Sequence, residues 1–423
     1  MKYILLFICG LTHALEYQGQ LSFEHRQYES DGNEETHDFQ SSIFLSLLSS
    51  KEFSENFKFT LGLKAREAFV DHHRDYLNLD DTNLSFTKNN WSASIGTHVF
   101  NWSILEFFSA YSPLVALNLS PGKDTERLGL PSLLYTYELD SSFIQFVYIL
   151  RSIPSMYPQS RDRQGLQINL ETPKFVEARD EFSNGDKLFQ FILRYKKSFE
   201  RMDWDFFISQ KYDTANPLLI LEMPGAISPG LEDLKIRPYY YKLQQVSTSV
   251  QTTYDDWLLK MEASIYNYEN IEIRFFIPPL SSDSIDQSDH SRLALGAEKE
   301  FFHSNNHSTN FLMEYISIFG VSSDDAQTLG PFQRDVLIGA RHSLNNFNGH
   351  QISFFMTYDA QTFDEFIYTL SHEFRVSNAW KLTYGATIID APEPDKNDPL
   401  DSFYGLKPVR ESDNIMVTIS RYF

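Results

Sequence analysis

The chain has 423 residues, of which 15% are aromatic (23 Tyr, 36 Phe, 5 Trp), with only 18 Gly and 17 Pro, and a formal charge of −21. So acidic a chain suits no nucleic-acid partner, because a phosphate backbone needs a basic surface. No stretch approaches the about 18 to 20 uninterrupted apolar residues of a membrane-spanning helix, so any crossing must use strands closed into a barrel.

At the N-terminus, Lys2 precedes the apolar stretch Tyr3–Leu11, and Thr12-His13-Ala14 has the small-residue form of a cleavage site. Residues 1–14 therefore read as an export signal. Cleavage after Ala14 would remove Cys9, the one cysteine, and with it thiol catalysis and Cys-ligated metal.

Strand-like runs follow at 15–28, 39–49, 57–70, 76–87, 91–100, 133–139, 142–150, 163–171, 188–199, 202–212, 239–249, 254–268, 290–302, 309–319, 334–343, 350–359, 364–374, 380–388 and 414–423. The 57–70 run alternates strictly. Phe57, Phe59, Leu61 and Leu63 share one face, and Lys58, Thr60, Lys64 and Arg66 the other, as expected of a wall between lipid and water. In the last run Ile415, Val417, Ile419 and Phe423 share a face that Arg421 interrupts near its end, where a long side chain can snorkel. A period-2 strand ending on an aromatic residue resembles the terminal strand of bacterial outer-membrane barrels, which carries the assembly signal.

Asn345–Gly349 and His303–His307 read as short turns, and 213–238, 279–290 and 389–412 as longer outer loops. No linker or repeat divides the chain. The expectation is all-β: a single closed antiparallel transmembrane barrel over 15–423 with about 16–20 strands.

Segment 101–131 breaks the pattern. Trp102 and Glu106 stand in Asn101–Tyr111, which Pro113 and Pro121-Gly122 cut short, so the stretch is a candidate plug or constriction folded into the lumen or across one mouth, the alternative being an exposed loop.

Chemistry-bearing residues are sparse. Glu24, His25 and Arg26 are consecutive, so His25 faces away from the other two, poor geometry for a shared site. His72-His73 with Asp71 and Asp75, and the acids Glu34, Glu35, Asp38, Asp283, Asp286 and Asp289, read as solvated loop charge. An ion held there would be hard and oxygen-ligated, such as calcium, and no other cofactor is expected. No G-x-S-x-G elbow, H-E-x-x-H pair or phosphate loop is present, so no enzyme is expected. Pore or constriction candidates are Trp102, Glu106, Arg127, Lys58, Lys64, Arg66, Arg194, Arg292, Glu298 and Arg375. Bases opposed across the lumen by Glu298, Glu300 and Glu373 would set a transverse field. Paired with their neighbours, they would only hold the barrel together. Both readings stand.

At 95–140 the chain resembles a group of poorly characterised Gram-negative outer-membrane barrel proteins with a tryptophan-centred motif. The resemblance runs through Gly96 in Ile95–Trp102, Asn118 in Ala116–Leu119, and Arg127–Pro131 leading into Leu133–Tyr137. Leu61–Phe69 is similar to an early strand of the same group. The resemblance implies a porin-like barrel with an inward-folded element after Trp102, and members thought to pass small compounds across the outer membrane.

The expected function is passive or gated passage of a small solute. Alternatives are the outer-membrane part of an export or envelope-assembly complex, discriminated by a plugged lumen, and a hydrolase, discriminated by a Ser/His/Asp cluster near one rim. The partners expected are outer-membrane lipid, lipopolysaccharide, the barrel assembly machinery and the solute.

Overall fold

The structure, a computed structural model, describes residues 16–29, 37–70, 72–111, 114–119, 126–158, 169–179, 181–222, 235–275, 283–285, 287–304, 306–361, 363–394 and 405–423. The signal-like segment 1–14 lies outside these residues.

Eighteen staves close one barrel. The first nine are β1 (Glu16–Tyr28), β2 (Phe39–Glu52), β3 (Phe57–Ala68), β4 (Tyr76–Leu79 with Thr82–Lys88), β5 (Trp91–His98), β6 (Leu130–Leu139), β7 (Ser142–Ile149), β8 (Gln190–Ser198) and β9 (Met202–Tyr212). The rest are β10 (Lys242–Tyr254), β11 (Trp257–Tyr268), β12 (His290–Phe302), β13 (Ser308–Phe319), β14 (Arg334–Ser343), β15 (Gln351–Asp359), β16 (Phe366–Arg375), β17 (Trp380–Asp390) and β18 (Asn414–Tyr422). Each pairs antiparallel with the next. β18 returns to β1 with Ser22 opposite Ser420.

The sheet has 19 strands, but Tyr76–Leu79 and Thr82–Lys88 both pair with β3 and form one stave broken at Asp80–Asp81. The break shifts the phase: Leu77 and Leu79 are exposed before it, Leu84 after it. At the closing seam Phe423 lies over Gly19, where a Cβ would collide with its ring. The Gly19 N–H donates to the Phe423 carbonyl at 2.8 Å.

Alternation explains the wall. Phe57 on β3, Leu133 and Tyr135 on β6, Leu295 on β12, Leu370 on β16 and Ile415 on β18 all stand exposed on the outer face. An apolar outer belt with every edge paired is what a bilayer requires. Arg421 also points outward, its guanidinium 5.8 Å from the Trp380 ring.

Short turns gather at the end that holds both termini, and longer connections at the other. Asn89, Asp255, Asp256 and Asn345 take φ of 52°, 47°, 66° and 47° there, the left-handed region that tight hairpins need. The two turns read from sequence belong to this rim. The described residues of 213–238, 279–290 and 389–412 belong to the opposite rim.

One expected strand is corrected. Of the run 163–171, residues 163–168 lie outside the described residues, and Asn169–Leu170 joins no stave but pairs in parallel with Lys235–Ile236. That pairing belongs to a separate small sheet with Lys174–Ala178, Glu181–Ser183 and Leu218–Glu222. The long loops carry apolar residues of their own. Val176, Leu218, Ile220 and Tyr239 bury themselves against Leu243 and Tyr266 of the wall, forming a cap instead of another stave.

Candidate functional site

Between β5 and β6 the chain turns into the lumen. Its root is a core of Phe100, Tyr111, Leu114 and Val115 packed on Val147, Ile149, Ile192 and Phe207 of β7–β9. Trp102 meets the rings of Phe100 and Phe207 edge-on, each at 5.5 Å. The Arg194 guanidinium lies 4.2 Å over Trp102, and its Nε donates to both Asp205 oxygens at 2.9 and 3.0 Å. Further along, Leu105, Phe108 and Ala110 pack against Ala294, Leu312, Ile316 and Leu337 of β12–β14. Gly296 permits this approach, since a Cβ there would stand 2.8 Å from Leu105.

An irregular segment has no ladder for its amides, and buried amides need acceptors. Two wall carboxylates, both fully buried, supply them. Glu262 of β11 accepts from the Ile104 and Ala110 amides at 2.7 and 3.0 Å and from the Ser103 and Ser109 hydroxyls at 2.8 and 3.1 Å. Glu314 of β13 accepts from the amides of Glu106, Phe107 and Phe108 at 2.6, 3.0 and 2.9 Å. Glu106 itself reaches Arg341 of β14, whose Nη1 donates to it at 2.8 Å. Arg341 in turn lies over Phe355, which Phe107 also touches. Burial pushes the Tyr111 phenol well above its usual range.

A second polar cluster sits on β1 and β3. Glu24 receives Arg26 at 3.2 Å, Arg66 at 3.7 Å and Arg74 at 4.0 Å. Arg66 also reaches Glu126 at 3.4 Å and donates to the Ser42 hydroxyl at 2.8 Å. Tyr76 donates to Glu126 as well. Glu126 is delivered by a short ladder in which Glu126–Arg127 pairs with Leu117–Asn118. The strand geometry expected of Glu24-His25-Arg26 is seen here. Parity does turn His25 outward, but it leaves Glu24 and Arg26 together on the inner face.

Arg127 flanks this cluster, and burial lowers its pKa. Lys64 pairs with Asp80 at 3.1 Å, while Lys58 is exposed towards the turn rim. Arg292 is buried, donating to His290 at 3.1 Å and to the Leu329 carbonyl at 3.0 Å, so it tethers a loop instead of lining a pore. Glu298 pairs with Lys260, and Arg375 stands exposed at the turn rim. Of the sequence candidates, then, the fold brings Trp102 and Arg194 together, sets Arg66 and Arg127 at the Glu24–Glu126 cluster, and leaves the others dispersed. Glu298 and Glu373 pair with wall neighbours, Glu373 with Lys381 at 2.7 Å, so these charges run along the wall and do not face bases across the lumen.

Among the described residues no three His, Cys, Asp or Glu side chains gather as metal ligands. Asp75 accepts from the Ala68 amide at 2.6 Å and Asp289 from the Tyr268 amide at 2.7 Å, so both cap backbone. Glu34, Glu35, Asp71 and Asp286, and the side chains of His73 and Asp283, lie outside the described residues.

Glu262, Glu314, Glu24 and Arg341 were missed in sequence. A signal existed for the first two: each is a lone acid in mid-strand, on the parity opposite to exposed Met261 and Met313. The inner face beyond the segment differs. Thr369, Ser371 and Glu373 on β16, Thr383 and Thr387 on β17 and Thr418 on β18 all remain partly exposed.

No protein-family model matches the chain, and no curated protein matches it in sequence. Solved structures match in fold. OccK2 (OpdF) of Pseudomonas aeruginosa, determined in complex with glucuronate, is 9% identical over 97% of this chain and 98% of its own, with a TM-score of 0.52. OccK3 (OpdO) of the same organism is 10% identical over 98% and 97%, with a TM-score of 0.51. The shared fold is that of porin-like outer-membrane barrels, a closed antiparallel wall.

Proposed function

We propose that the protein is an outer-membrane channel through which a small polar solute passes down its gradient. The observation that carries this reading is the asymmetry of the lumen. One segment is tied to the wall by Glu262 and Glu314, while the inner faces of β16 and β17, with Thr418 of β18, stay largely polar and partly accessible. The solute would pass between that segment and the open wall, with Glu106 and Arg341 bordering the narrowest part. Trp102 and Arg194 would act as anchors, holding the root of the segment in place. The tryptophan-centred group of porin-like barrels is the family we assign on this basis, since Trp102 begins the inward turn. Residues 1–14 would be removed on export. The barrel assembly machinery would insert the chain, with lipopolysaccharide around the long-loop rim.

Single-channel recording in planar bilayers tests the reading. Wild type should give a small, stable conductance, and a chain lacking 103–110 one several-fold larger. Absence of conductance from both overturns it.

A further inference from the structure

Five of the chain's 12 histidines gather in one arc of the turn rim. His303 and His307 stand between β12 and β13, His342 near the end of β14, His350 just before β15 and His372 in β16. His342 lies opposite Thr309 and Ile352, and His372 opposite Ile352 and Tyr384. Ile352 and Tyr384 are 42% and 44% exposed on the outer wall, so both histidines face outward with them. His303 Nε2 and His342 Nδ1 both meet the Thr309 hydroxyl, at 2.8 and 2.9 Å. His350 Nδ1 is 3.0 Å from His372 Nε2, and His372 Nδ1 is 2.6 Å from the Tyr384 hydroxyl.

What surrounds them is unusual for a chain of net charge −21. In this half, the outer face of β12–β18 adds the bases Lys299 and Arg421 and no carboxylate among the described residues. The sequence of turns 303–307, 344–350 and 376–379 holds no acid either. Elsewhere the same rim carries Glu52 and Glu55, Asp140 and Glu200, while Asp255 and Asp256 stand in the turn beside Lys299, whose Nζ donates to the Asp255 carbonyl at 3.3 Å. The acids nearest the arc, Glu298, Glu300 and Glu373, lie on the lumen side of the same strands, and Glu298 and Glu373 are paired there with Lys260 and Lys381. Short turns mark the periplasmic end of a membrane barrel, where the outer face meets lipid headgroups.

We propose that this arc docks anionic phospholipid headgroups and does so when its imidazoles are protonated. Imidazole is the one side chain that gains a positive charge on passing from mildly alkaline to mildly acid buffer without help from its surroundings. In acid the arc adds imidazolium charge to Lys299 and Arg421, and an imidazolium N–H turned away from Thr309, Tyr384 and the neighbouring ring is a charge-assisted donor to a phosphate oxygen. The adjoining exposed Ile352, Phe354 and Leu370 are covered by the same lipid's chains. A soluble anion lacks that second half. The inference needs the chain only to sit in a membrane and does not depend on conduction.

The test uses the full chain in vesicles of phosphatidylcholine, with or without phosphatidylglycerol, in buffers of about pH 5.5 and 7.5. Phosphatidylglycerol should raise the thermal unfolding midpoint by roughly 3–6 °C in the acid buffer and by little in the other. The gain should disappear in His342→Asn/His350→Asn/His372→Asn. It should shrink in the turn variant His303→Asn/His307→Asn, which leaves the strands intact. A gain that persists in both variants, or one that is equal in the two buffers, overturns the proposal. So does inorganic phosphate matching phosphatidylglycerol in pure phosphatidylcholine vesicles.

Discussion

From β7 to β14 the inner face of the barrel is a protein core, and over β16, β17 and Thr418 of β18 it is a wet wall. Val147, Ile192, Phe207, Glu262, Glu314 and Leu337 are buried to 1% exposure or less, whereas Thr369, Glu373, Thr383 and Thr418 remain accessible. The staves are alike and their outer faces are alike. What differs is cover: the segment after β5 lies against one side and leaves the other. A residue's lumen-facing parity therefore states only that it avoids lipid. Whether it meets water or protein depends on one insertion.

The contrast can be broken at its fastening. Glu314→Ala strips three amides, that of Phe108 buried, of their acceptor and should cost about 3–5 kcal/mol, given about 1.5–3 kcal/mol for each hydrogen bond to a charged group and partial relaxation. Urea unfolding reads the loss, and recordings should show a larger, noisier conductance. A conductance identical to wild type would mean that the segment holds its place without this carboxylate. Phe207→Ala, in the packed half, should cost about 3–4 kcal/mol as a core truncation; a loss under about 1 kcal/mol would deny that the lumen is packed there.

Glu365 probes the outer mouth of the open half. Burial, with Asp359 and Asp364 nearby, raises its pKa to about 7. A carboxyl so raised contributes stability that is fully present below its unfolded value, about 4.3, and is lost as pH climbs through about 7. Glu365→Gln should therefore gain about 1 kcal/mol on wild type at pH 8 and nothing at pH 4, allowing for the Leu406 amide bond it weakens. A gain independent of pH would assign the effect to packing. The smallest change is expected at Lys381→Gln, since a partly exposed pair with Glu373 contributes about 0–1 kcal/mol. Its effect should appear as a shift in ion selectivity with the unfolding midpoint unmoved.

Much of the wall was legible because a bilayer asks the same thing of every stave. Phe57, Phe59, Leu61 and Leu63 could be placed outward, and Lys58, Lys64 and Arg66 inward, from alternation alone. The packed half also left a trace: β7 reads Ser-Phe-Ile-Gln-Phe-Val-Tyr-Ile, apolar on both faces, as a strand buried on both sides does. The expected stave at 163–171 fails at its described end, where Asn169–Leu170 pairs within a loop cap, which local pattern cannot separate from a wall strand. Arg292 looked like a lumen charge by parity, yet a loop carbonyl and His290 hold it.

By itself, then, the sequence determined an antiparallel barrel, its inside and outside, its turn rim and the point after Trp102 where the wall pattern fails. These follow from period-2 alternation and turn chemistry, which act over a few residues. Only the tertiary structure decided that Glu262 and Glu314 fasten the segment across 152 to 159 and 206 to 208 residues of chain, and that Glu24, Arg66 and Glu126 meet. Those contacts depend on the registers of staves far apart in sequence and on where an irregular segment comes to rest. Neither leaves a local signature strong enough to read.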